Sequence, residues 1–83
     1  MSTTRYFEEQ VLRKRPYLSI EICRAVLARP LRREVQADGR IRFWGRASLP
    51  GGSRPRILRV VTLADGTTIH NAFLDRGFPE ELE

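Results

Sequence analysis

Arg59-Val60-Val61-Thr62-Leu63-Ala64-Asp65-Gly66-Thr67-Thr68-Ile69-His70-Asn71-Ala72-Phe73 is the stretch whose reading decides the fold. Its first half is rich in β-branched residues, its centre carries Asp-Gly, and its second half alternates. That is the pattern of two antiparallel strands joined by a tight turn. The strands are expected over 56–63 and 67–73. Continuous apolar character gives the first of them a central position, buried on much of both faces. In the second, Ile69 and Phe73 are larger and more apolar than Thr68, His70 and Ala72, which assigns Ile69 and Phe73 to the covered face. Strict alternation then puts His70, the only histidine, on the open face and turns Asn71 inward.

The same turn chemistry recurs upstream in Gln36-Ala37-Asp38-Gly39-Arg40-Ile41-Arg42-Phe43-Trp44. Ala37-Asp38-Gly39 fits a three-residue hairpin loop closed by a left-handed glycine, joining strands over 31–36 and 40–46. That loop pairs Gln36 with Arg40, Val35 with Ile41, Glu34 with Arg42 and Arg33 with Phe43. Val35, Ile41 and Phe43 then share one face, and Arg40, Arg42 and Trp44 the other. A two-residue loop would mix polar and apolar residues on both faces, so the three-residue loop is preferred.

Helices are expected before the strands. Thr3 or Thr4 can cap a helix over 4–15, with Glu8 and Glu9 near the positive end of its dipole and Phe7 and Val11 facing inward. Pro16 stops it, since the residue before proline is pushed out of the α region. Ser19 caps a second helix over 20–29, whose stripe is Ile22, Cys23, Val26 and Leu27. Pro30 ends it. Ser48-Leu49-Pro50-Gly51-Gly52-Ser53-Arg54-Pro55 reads as an irregular loop, and 79–83 as an acidic, frayed end. The fold class is therefore α+β: two N-terminal helices packed on one face of a four-stranded antiparallel β-meander, in a single domain spanning 1–83.

Composition narrows the function. No apolar run approaches the roughly 18 residues of a membrane span. The N-terminus lacks the apolar segment of a secretory signal, and Cys23 has no second cysteine to pair with, so a cytoplasmic protein is expected. Fifteen basic residues against ten acidic ones give a formal charge of +5, and all the basic residues but Lys14 are arginine. GC-rich codon usage also raises arginine content. Whatever its origin, guanidinium binds phosphate bidentately and stacks on bases, so nucleic acid or an acidic protein is the expected partner. One histidine and one cysteine lack the paired ligands of a zinc site, and the glycines fall in turns rather than in a phosphate-binding loop. Neither metal nor cofactor is expected.

What remains is metal-independent phosphodiester cleavage, which needs proton-transfer groups and cations for the developing phosphorane charge. His70 suits the proton transfer. Arg59, Arg42 and Arg40 suit the phosphate, Trp44 can stack a base, and Tyr17 and Tyr6 can exchange protons or contact substrate. Asp75 and Arg76 can orient His70 or bind substrate. Each has an ordinary alternative: a surface histidine, cross-strand ion pairs with Glu34, a packed indole, or a turn ion pair. Cys23 reads as a small buried hydrophobe.

From Thr4 to Phe78 the chain resembles a small bacterial domain family grouped with the RelE, ParE and BrnT toxins. Asp38-Gly39-Arg40-Ile41-Arg42-Phe43-Trp44 and Leu58-Arg59-Val60-Val61-Thr62-Leu63 carry the resemblance. It implies the fold of barnase-like and RelE-like ribonucleases, in which a curved sheet holds the active residues. It further implies a toxin acting on RNA or the ribosome and neutralised by a small acidic antitoxin. Catalytic residues vary across that group, and ParE-like members poison gyrase instead. A non-catalytic binding module for an acidic protein or nucleic acid is the alternative function. A monomer or an edge-strand dimer fits the exposed sheet edges.

Overall fold

In the first hairpin, β1 (Arg32–Val35) and β2 (Ile41–Ala47) pair Arg33 with Phe43, Glu34 with Arg42 and Val35 with Ile41. This is the register that the three-residue loop requires. Gly39 supplies the left-handed residue at φ 91°, and the Gln36 amide donates to the Arg40 carbonyl across the loop mouth at 2.7 Å. The computed structural model describes residues 2–52 and 54–77; the acidic segment 79–83 lies outside the described residues.

The second hairpin joins β3 (Arg56–Thr62) to β4 (Ile69–Leu74), and the sheet order is β1-β2-β3-β4, antiparallel throughout. Its loop is longer than that of the first hairpin. The Leu63 amide donates to the Thr68 carbonyl, leaving residues 64–67 between them. The Asp65 carboxylate accepts from the amides of Thr67 and Thr68 and from the Thr68 hydroxyl. These bonds, the Thr68 hydroxyl's first, hold Asp65 down at a pKa of about 2. They also explain why β4 starts at Ile69 and not at Thr67: both threonine amides turn back onto Asp65.

The first helix, α1, opens as a π-helical turn over Phe7–Val11 and continues as α-helix over Leu12–Lys14. Thr4 Oγ1 accepts from the Phe7 amide, satisfying a donor that the helix start leaves orphaned. The second helix, α2, spans Ile20–Ala28, and Ser19 Oγ accepts from the Ile22 amide. Both helices lie on one face of the sheet. Phe7 and Val11 from α1, Cys23 and Val26 from α2, and Ile41, Phe43, Leu58, Val60, Ile69 and Ala72 from the strands form the core. Phe7, Leu58 and Ile69 are fully buried, and each such side chain contributes about 1.5–3 kcal/mol. Gly45 faces α2, where a Cβ would sit 3.1 Å from Val26 Cγ1 and 3.4 Å from the Arg29 carbonyl oxygen. Its missing side chain therefore sets how closely helix and sheet approach. Cys23 belongs to this core, where burial pushes its thiol up to about 12 and leaves it inert.

One irregularity overturns part of the alternation argument. Val61 pairs with Asn71, but Thr62 pairs with Ile69, so β4 carries one extra residue, His70, as a β-bulge. The bulge reverses the facing of everything beyond it. Ile69 and Ala72 point into the core, whereas Asn71 and Phe73 lie on the open face. The expectations that Phe73 is covered, that Asn71 turns inward and that Ala72 is open are corrected by this single inserted residue. The N-terminal segment also joins the sheet: Thr3 bridges to Ile69 in parallel, through Ile69 N–H to the Ser2 carbonyl and Thr4 N–H to the Ile69 carbonyl, both 2.9 Å. No helix among the described residues is long and apolar enough to cross a membrane.

Candidate nucleic-acid interface

The face of the sheet away from the helices is crossed by a row of alternating cations and rings. Arg32 on β1 lies over Trp44 on β2 at 5.5 Å, and Arg59 on β3 sits between Trp44 at 5.6 Å and Phe73 on β4 at 4.4 Å. Arg15, at the end of α1, reaches the same Phe73 ring at 6.0 Å. Direct strand pairing makes the row: Arg32 is opposite Trp44, Trp44 opposite Arg59, and Arg59 opposite Phe73. A guanidinium over an aromatic face is attracted by the ring quadrupole, and the attraction grows as water is excluded. Asp75 closes the row. Its Oδ2 accepts from Trp44 Nε1 at 2.8 Å and lies 3.6 Å from Arg59 Nε, an atom that is buried and makes no hydrogen bond.

Beside this row lies a shallow concavity of about 310 Å³. Arg40, Arg42 and Arg59 line it together with His70, Asn71, Tyr6, Gln36, Val61 and Phe73. The bulge brings His70 here. Its imidazole stacks on Tyr6, with ring centroids 5.0 Å apart and planes 27° off parallel. Its Nδ1 is 3.0 Å from Thr4 Oγ1, the oxygen that also caps α1. Thr4 Oγ1 has lone pairs for both the Phe7 amide and an Nδ1–H. In that tautomer Nε2 keeps its own lone pair. Burial, and then the positive charge of Arg40, hold His70 below its ordinary pKa of 6.5, which favours the neutral ring. Asn71 is spent on the sheet edge, its Oδ1 accepting from the Ala72 amide at 2.9 Å. Arg42 is shared with Glu34, 3.6 Å away, in an exposed pair.

The sequence-predicted residues separate into two groups. His70, Arg59, Arg42 and Arg40 come together around the concavity. Asp75 does not orient His70; it serves Trp44 and Arg59, and Thr4 holds the imidazole. Trp44 is only 6% exposed, so it cannot offer a face to a base; it packs beneath the arginines. Tyr17 lies elsewhere, in a cavity of about 440 Å³ shared with Leu49, Pro50, Arg54, Arg56 and Leu74. Arg76 is exposed in the turn after β4, where Asp75 Oδ1 accepts from the Gly77 amide. Tyr6 and Phe73 are the aromatic residues that line the site, and Tyr6, 48% exposed, is stacked on the imidazole. Thr4, as the residue that positions His70, carried no signal beyond its capping role.

Among the described residues, no group of three or more His, Cys, Asp or Glu side chains could hold a metal ion. The chain matches no protein-family model, and no curated protein or solved structure is significantly similar to it.

Proposed function

We propose that the concavity around His70 binds a phosphodiester of RNA and that the protein is a metal-independent endoribonuclease of the RelE/BrnT toxin type. The observation that carries this reading is the convergence of Arg40, Arg42 and Arg59 on the one imidazole of the chain. With Nδ1–H on Thr4, His70 Nε2 takes the proton of a 2′-hydroxyl. The 2′ oxygen attacks the adjacent phosphorus, and the bond to the 5′ oxygen breaks, leaving a cyclic phosphate. The guanidinium groups stabilise the charge that develops on the phosphorane oxygens. Tyr6 supplies a hydroxyl at the same rim to protonate the leaving 5′ oxygen.

A second reading is a non-catalytic module that binds nucleic acid or an acidic protein through the same arginines. One observation favours it. Among the described residues, no carboxylate lines the concavity and Asp75 is engaged with Arg59 and Trp44, so none of them stabilises His70 as an imidazolium.

The test is induced expression of wild type, His70→Ala and Arg42→Ala in a bacterial host. Total RNA is resolved on a gel, and binding of a labelled RNA by each purified protein is titrated against salt. Growth arrest with RNA fragmentation in wild type alone, and RNA binding retained by His70→Ala, supports the nuclease. Intact RNA in every culture, with binding that weakens steeply as salt rises, leaves the binding module. Neither cleavage nor binding refutes both.

A further inference from the structure

We propose that the free edge of β1 is a self-recognition surface on which a second copy of this chain adds antiparallel, joining two sheets into one of eight strands. β1 is an outer strand, and among the described residues only β2 pairs with it. Among the described residues three large hydrophobic side chains are exposed, and two lie along this edge: Val35 at 60% and Leu31 at 41%. The outer side also has unused backbone groups. The Gln36 amide bonds to the Arg40 carbonyl at the mouth of the hairpin, so strand alternation turns the amide and carbonyl of Arg33, and the amide of Val35, away from the sheet.

Two copies meeting about a two-fold axis can pair only residues that point to the same face. Centring the axis on Arg33 places Arg32 opposite Glu34 of the second copy, twice, and brings Val35 beside Leu31, twice; the Leu31 amide itself bonds inward to the Trp44 carbonyl at 2.6 Å, so the new ladder stops short of it. Centring it on Glu34 instead sets carboxylate against carboxylate, and centring it on Arg32 sets guanidinium against guanidinium. The Arg33 register therefore matches opposite charges and covers the exposed apolar pair. Its one like-charge contact, Arg33 with itself, is relieved because that guanidinium already leans over Phe43 of its own chain, 5.9 Å from the ring. Arg32 and Glu34 already pair within one copy at 2.5 Å, so the same two side chains extend into a four-membered network across the axis.

Such an interface is small, and a weak association that depends on concentration is expected. With the axis perpendicular to the sheet, the open faces of both copies lie on the same side. The two His70 concavities then share one continuous basic surface. Counting strand spacings of about 4.8 Å, the two β3 strands lie roughly 24 Å apart.

Sedimentation velocity over a micromolar-to-millimolar series tests this directly. Wild type is expected to shift reversibly from monomer to dimer. Val35→Lys, on a side chain that the monomer leaves exposed, is expected to weaken the dimer by about tenfold or more with an unchanged circular dichroism spectrum. Arg33→Cys fixes the register. Across a hydrogen-bonded antiparallel pair the Cα atoms are roughly 5.5 Å apart, within disulfide range, so mild oxidation yields a covalent dimer. Val35→Cys would place its two thiols roughly 13 Å apart and stays uncrosslinked. Cys23 is buried and does not compete. A wild type that stays monomeric at millimolar concentration, a Val35→Lys dimer as tight as wild type, or crosslinking by Val35→Cys and not Arg33→Cys would each overturn the proposal.

Discussion

Replacing Asp75 separates two of the things its carboxylate does, apart from accepting the Gly77 amide in the turn after β4. One oxygen accepts from the indole N–H of Trp44, a residue only 6% exposed, and lies 3.6 Å from the buried Nε of Arg59. In Asp75→Ala the Trp44 donor loses that acceptor in a place water scarcely reaches, which costs about 1–3 kcal/mol. The Arg59 charge also loses its counter-ion. A fully buried pair broken in this way costs about 3–5 kcal/mol, but these side chains keep 25% and 20% exposure, so much of that is screened. Together the loss is about 3 kcal/mol. For a domain of this size each kcal/mol moves the melting temperature by roughly 4–8 °C, so Asp75→Ala should melt about 15 °C below wild type. Asp75→Asn keeps an acceptor for the indole and loses only the charge; it should cost about 1 kcal/mol, or roughly 5 °C. Thermal unfolding followed by far-UV circular dichroism, with Trp44 fluorescence alongside, measures both. An Asp75→Ala protein melting within about 3 °C of wild type, below the shift expected for one kcal/mol, would refute the reasoning. So would an Asp75→Asn protein as damaged as the alanine variant.

Gly45→Ala should lower stability by about 1–3 kcal/mol in urea unfolding, because its Cβ meets Val26 Cγ1 at 3.1 Å and α2 must shift to admit it. A neutral or stabilising result would show that Val26 simply rotates away. His70 has its pKa held down, so the native state favours the neutral ring, whereas the unfolded chain takes up a proton near 6.5. Its contribution to stability is therefore fully present above pH 6.5 and is lost as pH falls through the lower folded value. His70→Gln should flatten that slope. Arg40→Gln should raise the imidazole midpoint seen by NMR toward 6.5, since it removes the repelling charge; a midpoint that stays put or falls contradicts the assignment. Thr4→Val removes the α1 cap and the His70 partner together, costing about 1 kcal/mol and shifting the imidazole resonances. A protein unchanged in both respects would show that Thr4 does not position His70.

The two helices, their serine and threonine caps and the meander order follow from signals that act over a few residues. Ser19 before Ile20, Asp38 and Gly39 between two half-apolar strands, and Pro16 after a basic helix end each have one low-energy local solution, and the chain adopts it. The register of the first hairpin follows likewise from loop length and from which residues can be buried. The facing of β4 does not. Alternation from Ile69 onward assumes an unbroken ladder, and the bulge at His70 arises because Ile69 is held between Thr62 on one side and the Ser2–Thr4 segment on the other. Both are tertiary contacts across more than sixty positions or across a loop, and no local pattern encodes them. Composition could likewise assemble His70, Arg40, Arg42 and Arg59 as candidates, because their residue types advertise their chemistry. It could not choose Tyr6 over Tyr17, or show that Trp44 is buried under arginines and that Asp75 serves the indole. Those assignments depend on which side chains strand pairing brings within a few ångströms, and only the folded sheet decides that.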